Sequence, residues 1–331
     1  MAGSIPDDIR SKILPDENLT VSRFLEMQIP LVLPTVNGKA TDPEQYFSFN
    51  KPSVNDPVAA TTIPCPPKHV VDMLRKSLTA DVQSIHCIHT FNSQEKSFGT
   101  WIVQYWTELV VLRHARQRFS QALTVLERRR QAGKLNEEQH QLVNDAYEAL
   151  SVLPWTGLVQ GFGIQVDVHY LTSFVGAEWL SSEHINLLME LLRCELLAAG
   201  LASRLEVISE TSAFREMLRM AYKNQNLYGQ GKQNLRWLEK LGKNLGNGTC
   251  DKLAFMANIN NNHWVAVVLD PEQRSIWHGD SFGAPMDTEL QVMLKWWTYT
   301  HFSLSVTYQL QHSMTPTPAE FMRGMLLLHS Y

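Results

Sequence analysis

The chain has 331 residues, enough for one large domain or two ordinary ones, and 44% of them are hydrophobic, which supplies a core. Its formal net charge is −4 with both signs abundant, so no overall field calls for a nucleic acid or a membrane as partner. No apolar run approaches the ~18 residues of a membrane span. Met1 to Asp8 lacks a secretory pattern, and Cys65, Cys87, Cys194 and Cys250 lack framework spacing. The expectation is an intracellular protein of nucleus or cytoplasm.

Residues 1–67 are rich in proline and poor in periodicity, so the sequence predicts an irregular or disordered segment with one short helix near Val21 to Met27. Residues 68–165 read as an α-helical domain. Val70, Met73, Leu74 and Leu78 recur at helical steps, and Trp101 to about Gln131 reads as one long amphipathic helix. Asn136 with Glu137 and Glu138 marks the start of a second helix through Leu142, Tyr147 and Leu150. Glu127-Arg128-Arg129-Arg130 reads as a solvated helix end whose cations suit the dipole. His86-Cys87-Ile88-His89 lacks a second ligand pair at metal spacing and reads as a partly buried strand, so no metal or cofactor is expected. Three glycines between Trp155 and Val166 suggest a domain boundary.

The second half, 166–331, alternates helices and strands. Ser181 or Ser182 caps a helix whose buried stripe is Ile185, Leu188, Met189, Leu192 and Leu196, with Gly200 as its stop. Glu206 to Ile208 reads as a strand and Phe214 to Tyr222 as a helix. Gly229 to Gly248 is Lys- and Gly-rich, with Trp237, Leu238, Leu241 and Leu245 as apolar anchors. Leu253 to Ala257, Val265 to Leu269 and Ser275 to His278 read as strands, the last two joined by a turn at Asp270-Pro271. Such a hairpin brings His263 and Asp280, 17 residues apart, to one edge of the sheet. A carboxylate beside an imidazole fixes its tautomer and steadies the imidazolium, which is two thirds of a nucleophile-activating triad. Asp287 to about Thr300 reads as a helix with Leu290, Met293, Leu294 and Trp297 inward, and Leu304 to Tyr308 as a strand before Gln309-Leu310-Gln311.

His263-Trp264, strand, turn, strand and Asp280-Ser281-Phe282-Gly283 together resemble the ubiquitin-like-protein-specific cysteine proteases, the SUMO protease family. Trp179-Leu180-Ser181-Ser182-Glu183-His184-Ile185 is similar to the opening motif of that catalytic domain, with Ser182 where the family has an acid. The resemblance covers about half the chain, from Tyr170 onward. It implies an α+β fold, a papain-like, SUMO-protease-like domain preceded by the helical one. It also implies thiol proteolysis at the C-terminal tail of a ubiquitin-like modifier or its conjugates. His263 would be the general base, Asp280 its orienter, and Gln311, with Gln309 as alternate, the oxyanion donor. Trp179 and Trp264 would bind substrate, Trp264 also covering the imidazole.

The nucleophile departs from the pattern. No cysteine follows Cys250, and the family's slot falls near Ala319 to Met322, where a methyl or thioether has no nucleophilic chemistry. Ser313 follows Gln311 too closely to stand in. Three explanations stay open: a pseudoprotease that binds a ubiquitin-like protein, a deliberate replacement, or a shifted reading frame. The third has a specific form: were Phe321-Met322-Arg323-Gly324 encoded TTC ATG CGG GG, the frame one base later would read Ser-Cys-Gly. A purely structural helical scaffold is the remaining alternative, which the histidine and aspartate motifs oppose.

Overall fold

The computed structural model describes residues 4–32, 42–87, 96–133, 135–176, 179–200, 205–260, 262–302 and 309–313. The chain forms two compact units: Met1–Leu158 with Asp167–Gly176, and Val159–Val166 with Ala177–Tyr331. The glycine-bearing stretch Trp155 to Val166 is therefore shared between them, and Val159–Val166 packs with the second.

In the first unit, the described part of 1–67 is structured where the sequence suggested irregularity. Asp42-Pro43 and Asp56-Pro57 are cap-and-first-position pairs: each Asp accepts the backbone N–H two residues on, at 3.0 Å, and each Pro opens a short 3₁₀ turn. Helices α1 (Asp7–Ile13) and α2 (Val21–Glu26), strand β1 (Phe47–Ser48) and α3 (Lys68–Ser77) follow in order. Val21, Phe24, Tyr46 and Cys65 are fully buried, so this segment contributes core rather than linker. Strands β2 (Ser84–His86) and β3 (Ser97–Gly99) complete a small antiparallel sheet with β1. His86 sits in β2, His89 lies outside the described residues, and among the described residues no three candidate ligands gather around a metal site.

Helix α4 (Trp101–Gln131) buries Ile102, Tyr105, Trp106, Leu109, Leu112, Phe119 and Leu126, a stripe at helical spacing, whereas Leu123 on the same spacing is only half-buried. Its Arg-rich end is exposed. Arg130 pairs with Glu127 at 3.0 Å and lies over the Tyr147 ring, 4.9 Å from its centre. Asn136 and Gln139 form a reciprocal capping box on α5 (Glu137–Val152). Leu150 is buried there, whereas Leu142 is exposed. No described helix is long and apolar enough to cross a membrane.

The second unit is built on a sheet. Helix α6 (Ser182–Ala198), β4 (Leu205–Val207), α7 (Thr211–Lys223), α8 (Arg236–Gly246), β5 (Lys252–Ile259), β6 (His263–Asp270), β7 (Ser275–Gly279), α9 (Thr288–His301) and β8 (Gln309–Ser313) follow in the chain. The sheet order is β4-β5-β6-β7-β8, with the outer pairs parallel and the inner ones antiparallel. Strand alternation gives it two apolar faces. Phe255, Ala257, Val265, Val267, Leu269 and Ile276 pack against α7, α8 and α9. Ala254, Met256, Trp264, Ala266 and Val268 pack against α6. Burying each large aliphatic side chain contributes about 1.5–3 kcal/mol, so both layers hold the central strands firmly.

Helix α8 falls where the sequence offered only a Lys- and Gly-rich stretch. Its glycines disguise it, and they are there for a close approach. A Cβ on Gly242 would lie 2.3 Å from the His301 ring, and one on Gly246 2.6 Å from the His301 carbonyl oxygen. His301 in turn bonds Tyr228 Oη at 2.8 Å, and burial, with Lys243 nearby, lowers its pKa to about 4. Strand β8 spans Gln309–Ser313, and the strand expected over Leu304 to Tyr308 lies outside the described residues.

Candidate active site

The hairpin register decides where the histidine and aspartate go. Ala266 pairs with Gly279, and counting onward puts Val265 level with Asp280 and His263 level with Phe282. Asp280 is then the diagonal neighbour of His263, on the same face of the sheet. His263 Nε2 lies 3.0 Å from Asp280 Oδ2, with the carboxylate nearly buried at 4% exposure and the imidazole at 16%. The two atoms make a close contact without a formed hydrogen bond. With Nε2 facing the carboxylate, Nδ1 is the nitrogen left to take a proton.

Asp280 is itself held. Its Oδ1 accepts the Phe282 N–H at 2.6 Å, and Gly283 N–H bonds the Asp280 carbonyl at 3.1 Å with φ +68° at the glycine. This turn lays the Phe282 ring on the imidazole, centroids 4.6 Å apart and 25° from parallel. The expectation that Trp264 covers the imidazole is therefore corrected. Consecutive strand residues face opposite ways, so Trp264 belongs to the α6 face and Phe282 covers His263 instead. Asp-Ser-Phe-Gly carried that signal in the sequence, but only the register assigns the ring.

Trp264 and Trp179 come together elsewhere. They line a groove of about 460 Å³ with Leu180, Ser181, Ser182, Glu183, Asn258 and Asn262. Trp179 stands 71% exposed, whereas Trp264 is buried and donates its indole N–H to the Leu180 carbonyl at 2.9 Å. Asn262 and Trp264 flank His263 in the chain, so groove wall and imidazole share one stretch of backbone. Arg215 reinforces that edge by donating to the Asn258 carbonyl, a contact the sequence did not reveal. Glu183 stays below the usual carboxylate range because Ser181 Oγ donates to it at 2.5 Å.

Gln311 lies inside β8, paired in register with Trp277 rather than beyond the strand's end, and Ser313 pairs with Gly279. The slot from Ala319 to Met322 lies outside the described residues. Of the cysteines in this unit, Cys250 is buried, its thiol donates to the Lys252 carbonyl at 3.0 Å, and burial raises its pKa, the opposite of thiolate activation. Cys194 is half-buried on α6.

Comparison with known proteins bears on this constellation. No curated protein matches the chain. Among solved structures, it is similar to the SUMO protease Ulp1 with its catalytic cysteine oxidized to a sulfenic acid. Identity there is 16% over 56% of this chain and 78% of that one, with a TM-score of 0.34. The C-terminal Ulp1 protease domain in complex with Smt3, the yeast ortholog of SUMO, gives 15%, the same coverages, and a TM-score of 0.35. Residues 178–319, which hold both the groove and the His263–Asp280 pair, match the family model described as Ulp1 protease family, C-terminal catalytic domain. Residues 178–319 are thus similar to a Ulp1 protease catalytic domain, and a helical region lies ahead of them in the chain.

Proposed function

We propose that the second unit takes the C-terminal tail of a ubiquitin-like protein, free or conjugated, into the Trp179–Trp264 groove. The His263–Asp280 pair beside it is the retained base and orienter of a thiol-protease site. The observation that carries this reading is the 3.0 Å contact between the two side chains at the edge of the groove-forming strand. Gln311 is the oxyanion donor in the same scheme. A base without a thiol to deprotonate cleaves nothing. With Ala319 to Met322 in the nucleophile's slot, the chain binds the tail without cutting it. An active cysteine peptidase is the second reading, favoured by the retained His263–Asp280 pair. An intracellular setting, nuclear or cytoplasmic, suits a chain whose four cysteines form no disulfide.

A ubiquitin-like protein ending in a vinyl sulfone separates the two readings. The expected result is reversible association with no covalent adduct on a denaturing gel. An adduct mapped to a residue after Gln311 would overturn the binding-only reading, and a transcript encoding Ser-Cys-Gly there would account for it.

A further inference from the structure

We infer that His184 is a positioning residue for the groove: the third residue of α6, it fixes the wall from which both tryptophans are set. This rests on reading the groove as the tail site. The cap of α6 is a reciprocal box in which histidine takes the place usually held by Glu or Gln. Ser181 N–H donates to His184 Nδ1 at 3.0 Å, so that nitrogen must keep its lone pair. Ser181 Oγ sits 2.7 Å from the same nitrogen and 2.5 Å from Glu183 Oε2. The hydroxyl has one proton to give. Because Nδ1 already accepts the backbone N–H, that proton goes to the carboxylate, the stronger acceptor.

The consequence runs along the backbone. His184 is 3% exposed, and its planar ring is held by its surroundings where a Glu or Gln side chain would keep rotamer freedom. Through Ser181 N–H it fixes the Leu180–Ser181 peptide, whose Leu180 carbonyl anchors the Trp264 indole at 2.9 Å. Trp179 precedes the same two residues, and His263 precedes Trp264. One buried imidazole thus holds the wall carrying Trp179 and, across the groove, the strand start carrying the base.

The test compares His184→Leu, which removes the acceptor, with His184→Gln, which restores one at the position where capping boxes accept it. In the full chain, the Leu variant is expected to bind a synthetic peptide of the mature SUMO tail about tenfold more weakly, the Gln variant within about threefold of wild type. Exchange of the Trp264 indole N–H, followed by NMR, is expected to accelerate in the Leu variant and remain slow in the Gln variant. Equal exchange in all three proteins, or equal peptide affinity in folded Leu and wild-type chains, overturns the inference. A wild-type chain that binds no tail overturns the functional reading instead, and the indole exchange still decides whether His184 holds the wall.

Discussion

Trp264→Ala is expected to destabilise the second unit by about 3–5 kcal/mol and to abolish tail binding. The indole is buried among Ile185, Met189, Met256 and Val268, so truncation leaves a cavity between α6 and the sheet. It also strips the Leu180 carbonyl of its donor. Trp264→Phe keeps an aromatic ring in the pocket while removing the N–H and part of the indole volume, so it shifts the balance toward the lost hydrogen bond. That variant is expected to lose about 1 kcal/mol of stability. Denaturant unfolding with isothermal titration of a tail peptide reads both. Wild-type affinity in a folded Trp264→Ala chain would remove the indole from the binding account.

The second large effect is on the opposite face. Gly246→Ala is expected to lower stability by about 2 kcal/mol or more, although alanine is the better helix former by about 1 kcal/mol. The new Cβ would meet the His301 carbonyl oxygen at 2.6 Å, and backbone at a helix end has nowhere to go. Gly242→Ala meets the imidazole at 2.3 Å instead, so His301 would have to turn and give up Tyr228. A thermal scan reads the sign directly. A higher unfolding midpoint for Gly246→Ala would mean that α8 and α9 are not held at the spacing described.

These contrasts show what the sequence made legible. Long elements with one strong period were readable end to end: α4 begins at Trp101 and ends at Gln131, and α9 buries the four residues its spacing selects. The hairpin was readable too, because Val265 to Leu269 and Ser275 to His278 bracket a strong turn signal, and that alone brought His263 to Asp280. Tertiary choices were not readable. Helix α8 was hidden because glycines required by a neighbouring carbonyl look locally like loop residues. The N-terminal prolines looked like disorder, yet Pro43 and Pro57 open capped turns beneath buried Tyr46 and Ala60. Within the site, Trp264 was chosen for adjacency to His263, but adjacency along a strand means opposite faces, and the covering ring came from Phe282 across the ladder. In the sequence His184 stands only as one letter of the opening motif, because its role depends on a backbone N–H three residues earlier.

The central claim is that the second unit recognises the tail of a ubiquitin-like protein in the groove beside His263. Its most direct test is calorimetric titration of the full chain with a mature ubiquitin-like protein and with the same protein lacking its C-terminal tail. The account predicts saturable binding by the first and at least a tenfold loss with the second, about 1.4 kcal/mol of affinity. Equal affinity for both, or binding by neither across the common ubiquitin-like proteins, would contradict it.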